Sequence, residues 1–178
     1  MVTVNPLPTI SAGAPQTICT GGSATLTATG GVSYSWNNGL GTGASKIVNP
    51  TTATTYTVTG TDGNGCVNTA NVTVNVNSLP TISVSASGPL TICTGGSVTL
   101  TASGGSTYSW DNGLGSNNPV SVVAPGLITV NATGPNFCTA TASYAIEQDV
   151  VLPTPVLWAS DDTLDCFVDS IQLDAGGG

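Results

Sequence analysis

The sequence predicts an all-β protein made of tandem sandwich repeats, and three observations predict it. The composition is rich in turn-forming and β-branched residues and poor in charge. Short segments alternate apolar and polar residues with a period of two. Two blocks of text recur about 74 residues apart.

Of the 178 residues, 39% are hydrophobic and only 6% charged, with 23 glycines and 11 prolines. Such a chain is too apolar for an acidic disordered tail and too poor in strong helix formers for a helical protein. β-branched residues suit pleated, half-buried surfaces, and Gly, Asn and Pro mark the turns between them. No helix is expected.

Charge excludes several functions. Lys46 is the only basic residue, histidine is absent, and the formal net charge is −8. Binding a phosphate backbone by counterion release needs many cations, so nucleic acid is excluded as a partner, and anionic membrane surfaces with it. No apolar run approaches the ~20 residues of a membrane span. The lack of histidine removes the commonest general base and metal ligand. Neither a cofactor nor a metal is expected. Met1 to Pro6 carries no signal-peptide pattern, so export of a longer parent protein would use a signal upstream.

The repeat is explicit. Thr17-Ile-Cys-Thr-Gly-Gly-Ser23 recurs letter for letter at Thr91–Ser97, and Tyr34-Ser-Trp-Asn-Asn-Gly-Leu-Gly41 recurs as Tyr108-Ser-Trp-Asp-Asn-Gly-Leu-Gly115. Cys66 recurs as Cys138, 72 residues on. Val2-Thr-Val-Asn5 and Leu7-Pro-Thr-Ile10 match Val72–Asn75 and Leu79–Ile82, while Leu152-Pro-Thr154 and Cys166 lie 73 beyond Leu79–Thr81 and Cys93. The expected organisation is residues 1–5 as the tail of a preceding repeat, 6–77 and 78–148 as complete repeats, and 149–178 as the first part of a third. Periods of this length are a signature of repeat architectures.

Within a repeat, Ala24–Ala28, Thr55–Thr59 and Val72–Val76 alternate as strands with one buried face. Gly21-Gly22, Gly30-Gly31, Asn38-Gly39 and Asp62-Gly-Asn-Gly65 read as turns. Strands are expected near Thr9–Ser11 (strand A), at 23–29 (B), 33–37 (C), near 45–49, at 54–61 (F) and at 66–76 (G). Six or seven short strands in about 72 residues suggest an immunoglobulin-like sandwich. Trp36 and Trp110 fall where such sandwiches bury an indole, with Leu26, Leu100 and Tyr56 as further core positions; an exposed sugar-stacking role is the alternative for the indoles. Tyr56 has Ile128 as its counterpart, so its role cannot depend on a hydroxyl.

Cys19, Cys66, Cys93 and Cys138 read as disulfide cysteines, because burial alone leaves a sandwich of this size marginally stable and the chain lacks metal-ligand spacing. One pair per repeat, Cys19–Cys66 and Cys93–Cys138, is the expected pairing. Topology opposes it, since strand F would hold the starts of B and G more than about 20 Å apart, and a disulfide needs Cα atoms within about 7 Å. The alternative is a staggered bond from Cys19 to Cys138. Cys166 is expected to be unpaired in this stretch.

The pattern Ile18-Cys-x-Gly-x-Ser-x-x-Leu26, Tyr34-x-Trp36, Tyr56-x-Val58 and Asp62-x-Asn-Gly-Cys66 resembles the Ig-like and PKD-like repeats of Bacteroidota surface proteins, among them gliding adhesins and other products of the type IX system. The resemblance covers essentially the whole chain. It implies secretion, attachment at the cell surface and a stalk or adhesin role. The second repeat departs from it at Ile128 and at Gly134-Pro-Asn-Phe-Cys138.

Repeats of this kind serve as spacers whose stiffness is set by their linkers, and Asn77-Ser-Leu-Pro80 is short and proline-bearing. The expected function is a structural stalk in an extracellular adhesin or filament, and not catalysis. The alternative is a carbohydrate-binding accessory module. Expected partners are neighbouring repeats, other copies of the chain in a fibre, or a surface glycan. Asp161, Asp162, Asp165, Asp169 and Asp174 read as solvated carboxylates without EF-hand spacing. Asn71-Val-Thr and Asn131-Ala-Thr read as chance glycosylation sequons in Thr-rich strands.

Overall fold

The computed structural model describes residues 4–93, 95–149, 156–159 and 173–176, the last two stretches by their backbone alone. All regular structure among them is strand. The chain forms an immunoglobulin-like all-β sandwich twice over, each unit with its own core.

The first unit runs through β1 (Gln16–Cys19), β2 (Ala24–Thr27), β3 (Ser33–Trp36), β4 (Gly41–Thr42), β5 (Ser45–Val48), β6 (Thr54–Thr61) and β7 (Val67–Asn77). One sheet has the order β1-β7-β6-β3-β4; the other pairs β2 with β5. The alternation read from the sequence sets the layers. In β2, Ala24 and Leu26 are buried while Thr25 and Thr27 are exposed, and β6 buries Tyr56 and Val58 from the facing sheet. Val48, Val72, Val74 and Trp36 close the same core. Each fully buried Leu or Val contributes about 1.5–3 kcal/mol relative to exposure.

The second unit comprises β8 (Ser83–Ala86), β9 (Thr91–Cys93), β10 (Val98–Ser103), β11 (Thr107–Trp110), β12 (Val120–Val122), β13 (Gly126–Thr133) and β14 (Thr139–Asp149). Its sheets are β12-β10-β8 and β11-β13-β14-β9. Leu100, Trp110, Ile128 and Val130 occupy the positions of Leu26, Trp36, Tyr56 and Val58, all of them buried. Beyond it, β15 (Val156–Ala159) pairs antiparallel with β16 (Leu173–Gly176).

One element departs from the sequence expectation. Strand A is not a single segment at Thr9–Ser11; there the chain makes only a bridge, Ser11 to Thr29. Its main pairing is β1, which runs parallel to β7 in the opposite sheet. The second unit shows both halves as strands, with β8 antiparallel to β10 and β9 parallel to β14. Pro15 and Pro89 sit between the halves. Proline cannot donate to a strand ladder, so pairing with one sheet stops there and the chain crosses to the other.

Trp36 and Trp110 are each 4% exposed. Trp36 Nε1 donates to the Gly43 carbonyl at 3.0 Å.

A disulfide joint between the two units

The cysteines are positioned by the parallel pairing of β1 with β7. Its register sets Cys19 beside Asn77, the last residue of β7. Thr20 then caps that end, donating its N–H to the Asn77 carbonyl at 2.9 Å and its hydroxyl to the same oxygen at 3.1 Å. Cys66 lies just before the first residue of the same strand, which is 11 residues long. At about 3.3 Å per residue the two cysteines stand more than 30 Å apart. The pairing Cys19–Cys66 is therefore ruled out, and Cys93–Cys138 fails for the same reason, because Cys93 pairs with Asp149 at the far end of β14.

Cys19 is instead bonded to Cys138, with S–S 1.99 Å and Cα atoms 5.7 Å apart across a sequence separation of 119. The chain leaves β7 at Asn77 and enters the second unit through Ser78. The turn before β14 returns to that entry point, where Asn136 Nδ2 donates to the Ser78 carbonyl at 2.9 Å. Cys138 at the base of the turn is 1% exposed. The strand end carrying Cys19 and the turn carrying Cys138 thus meet at one linker.

Cys66 and Cys93, both expected to be bonded, carry free thiols; Cys93 is exposed and Cys66 partly so. Cys166, Asp161, Asp162, Asp165 and Asp169 lie outside the described residues, and of Asp174 only the backbone is described. Among the described residues no group of three or more His, Cys, Asp or Glu is placed to hold a metal ion, and no helix is long and apolar enough to cross a membrane.

Two kinds of side-chain bracket were not assigned by the sequence reading. Tyr34 Oη donates to the Gly31 carbonyl and accepts from the Gly31 N–H, each at 2.7 Å. Tyr108 does the same with Gly105, at 2.9 and 3.0 Å. The hydroxyl that recurs is this one and not that of Tyr56; its signal was the repeated Tyr-Ser-Trp. Asn118 is the second. Its amide brackets Ala102, accepting from the N–H at 2.9 Å and donating to the carbonyl at 2.8 Å. In the first unit the backbone carbonyl of Ala44 accepts from the equivalent Ala28 N–H at 2.8 Å.

No protein-family profile and no curated protein matches the chain. Solved structures are similar at low identity. The fibronectin(III)-like modules of CbhA from Clostridium thermocellum are 16% identical over 80% of this chain and 95% of that one, with a TM-score of 0.39. The N-terminal eight Ig domains of Down Syndrome Cell Adhesion Molecule are 12% identical over 97% of this chain and 28% of that one, with a TM-score of 0.45. Three N-terminal domains of the highly immunogenic outer capsid protein of bacteriophage RB49 are 18% identical over 89% of this chain and 66% of that one, with a TM-score of 0.33.

Proposed function

We propose that the chain is a segment of an extracellular array of immunoglobulin-like repeats, acting as the stalk of a bacterial surface adhesin or filament of the Bacteroidota kind. The observation that carries this reading is the Cys19–Cys138 bond, which ties one sandwich to the next at the linker between them. A covalent joint there limits bending and withstands tension, which a spacer needs and a catalyst does not. The bond also calls for an oxidising compartment. The repeat frame of 6–77 and 78–148 is supported by the matched cores. Its extension into 149–178 is supported by register: Leu173 opposes Ala159 as Leu100 opposes Ala86, at an offset of 73 in both strands. The carbohydrate-module alternative wanted exposed indoles, and burial of Trp36 and Trp110 counts against it.

Force spectroscopy tests the spacer reading. With the bond closed, the residues between Cys19 and Cys138 cannot extend. Reductant should release roughly 400 Å of additional contour at about 3.3–3.6 Å per residue over that separation of 119. Equal contour lengths with and without reductant would overturn the reading, whereas specific retention on a glycan array would favour a binding module.

A further inference from the structure

We propose that β5 and β12 present the same open sheet edge, and that Lys46 in the first unit and Pro119 in the second keep another copy of this chain from adding a strand to it. The inference does not depend on the spacer reading.

Each strand is the last in its sheet. β5 pairs with β2 alone and β12 with β10 alone. The two edges are equivalent, since Leu26 opposes Lys46 as Leu100 opposes Val120. The Ala28 N–H donates to the Ala44 carbonyl at 2.8 Å. Backbone direction alternates along an antiparallel strand, so Lys46 and Val48 also turn their N–H and C=O groups to β2. Ser45 and Ile47 turn theirs to the open side. A row of unpaired backbone groups is a template for another strand. Ile47, 71% exposed, adds an apolar side chain beside it.

Lys46 obstructs that pairing in the first unit. Two copies joined β5 to β5, antiparallel, use all the open backbone groups when Ser45 of one faces Ile47 of the other. Lys46 then stands directly opposite the other copy's Lys46, in a pair without mutual hydrogen bonds, where side chains come closest. Like charges so placed are destabilising. Lys46 also lies on the core side of the sheet, with Leu26 and Val48, and is half-buried. Its Nζ passes Gly43, where a Cβ would lie 3.8 Å from it. An added strand would close over this ammonium and leave it only another ammonium to face. In the second unit the charge is gone, and Val120 is buried in its place. There Pro119 holds the position of Ser45. Proline has no N–H, so the same self-pairing, Pro119 facing Ser121, loses a hydrogen bond at each end. Two different residues thus obstruct one edge.

The test uses the full chain with its free thiols capped by iodoacetamide, sedimented over a series of concentrations. The parent should stay monomeric. Lys46→Val installs the residue of the second unit, and its mass should rise with concentration to twice that of the parent. Exchange of the Ser45 and Ile47 amides should slow in that dimer, while the amide at position 46, already bonded to β2, should not change. Lys46→Met, unbranched like lysine but uncharged, should dimerise in the same way. Lys46→Arg keeps the charge and should remain monomeric. Adding Ser45→Pro to Lys46→Val copies the guard of the second unit and should restore the monomer. The Leu26 amide, protected by β5, reports that each variant is folded. Lys46→Val and Lys46→Met that keep this protection yet stay monomeric throughout would overturn the proposal. So would a parent or Lys46→Arg that dimerises with slowed Ile47 exchange, or a folded double variant that associates as the single one does.

Discussion

Cys19 and Asn77 are register partners at the end of the parallel β1–β7 pair, and this pairing brings the Cys19 sulfur to the linker that Cys138 also reaches. Closure follows from where a strand ends, not from which cysteines share a repeat.

The bond should be found in the isolated protein as a Cys19–Cys138 peptide in a non-reducing map. Closing a loop of this length contributes about 5 kcal/mol in the chain-entropy treatment. Cys138→Ser should lower the resistance to denaturant by a large part of that amount. It should leave Cys19 titratable by a thiol reagent, not transferred to Cys66. Recovery of Cys19–Cys66 from that variant would show that the distance set by β7 is wrong.

The bracket made by Tyr34 predicts a contrast between two tyrosines. Tyr34→Phe strands the N–H and carbonyl of Gly31, costing about 1–3 kcal/mol when such groups are buried. Tyr56→Phe keeps the ring in a core position that Ile128 fills in the second unit, so its effect should be smaller. Hydrogen exchange across β3 and β6 reads both. Equal acceleration by the two substitutions would remove the special role of the recurring hydroxyl.

Asn118→Ala should loosen β10. The N–H and carbonyl of Ala102, a residue 4% exposed, both bond to the Asn118 amide. Losing them costs about 1–3 kcal/mol. The Ala102 amide should exchange faster while Ala28, bonded to a backbone carbonyl, stays protected. Unchanged protection at Ala102 would count against the bracket.

Legibility followed the range of the interaction. Alternation in 24–28, 55–59 and 72–76 marked β2, β6 and β7 because one strand's burial pattern is written in its own residues. The recurring Trp, Leu and Cys positions marked equivalent places for the same reason. β1 was not legible: Gln16-Thr-Ile-Cys19 is only four residues long, and its partner lies near Asn77. Without that parallel register the cysteine pairing stayed open, and periodicity favoured the wrong answer. Asn118 was silent because a side chain imitating a backbone leaves no periodic trace.

The last prediction concerns two glycines that fix the entry of each unit. Gly30 and Gly104 adopt φ of 91° and 94°, in the left-handed region that disfavours a side chain. A Cβ on Gly30 would also overlap the Thr9 carbonyl oxygen, and one on Gly104 the Thr81 carbonyl oxygen. The obstruction is main chain, so no rotamer change relieves it. Alanine there would push the entering segment away from the turn after β2 or β10, straining the Ser11–Thr29 bridge in the first unit. Gly39 is the control: its φ is 73°, but a Cβ would meet nothing within 4 Å. Gly39→Ala should cost only the backbone penalty of about 1–2 kcal/mol. Gly30→Ala and Gly104→Ala add displacement of the main chain, which places them in the severe range above about 4 kcal/mol. Denaturation of the three variants, followed by amide exchange in each unit separately, measures the difference. If Gly30→Ala unfolds no more readily than Gly39→Ala, the close approach of Thr9 is not what holds the segment in place.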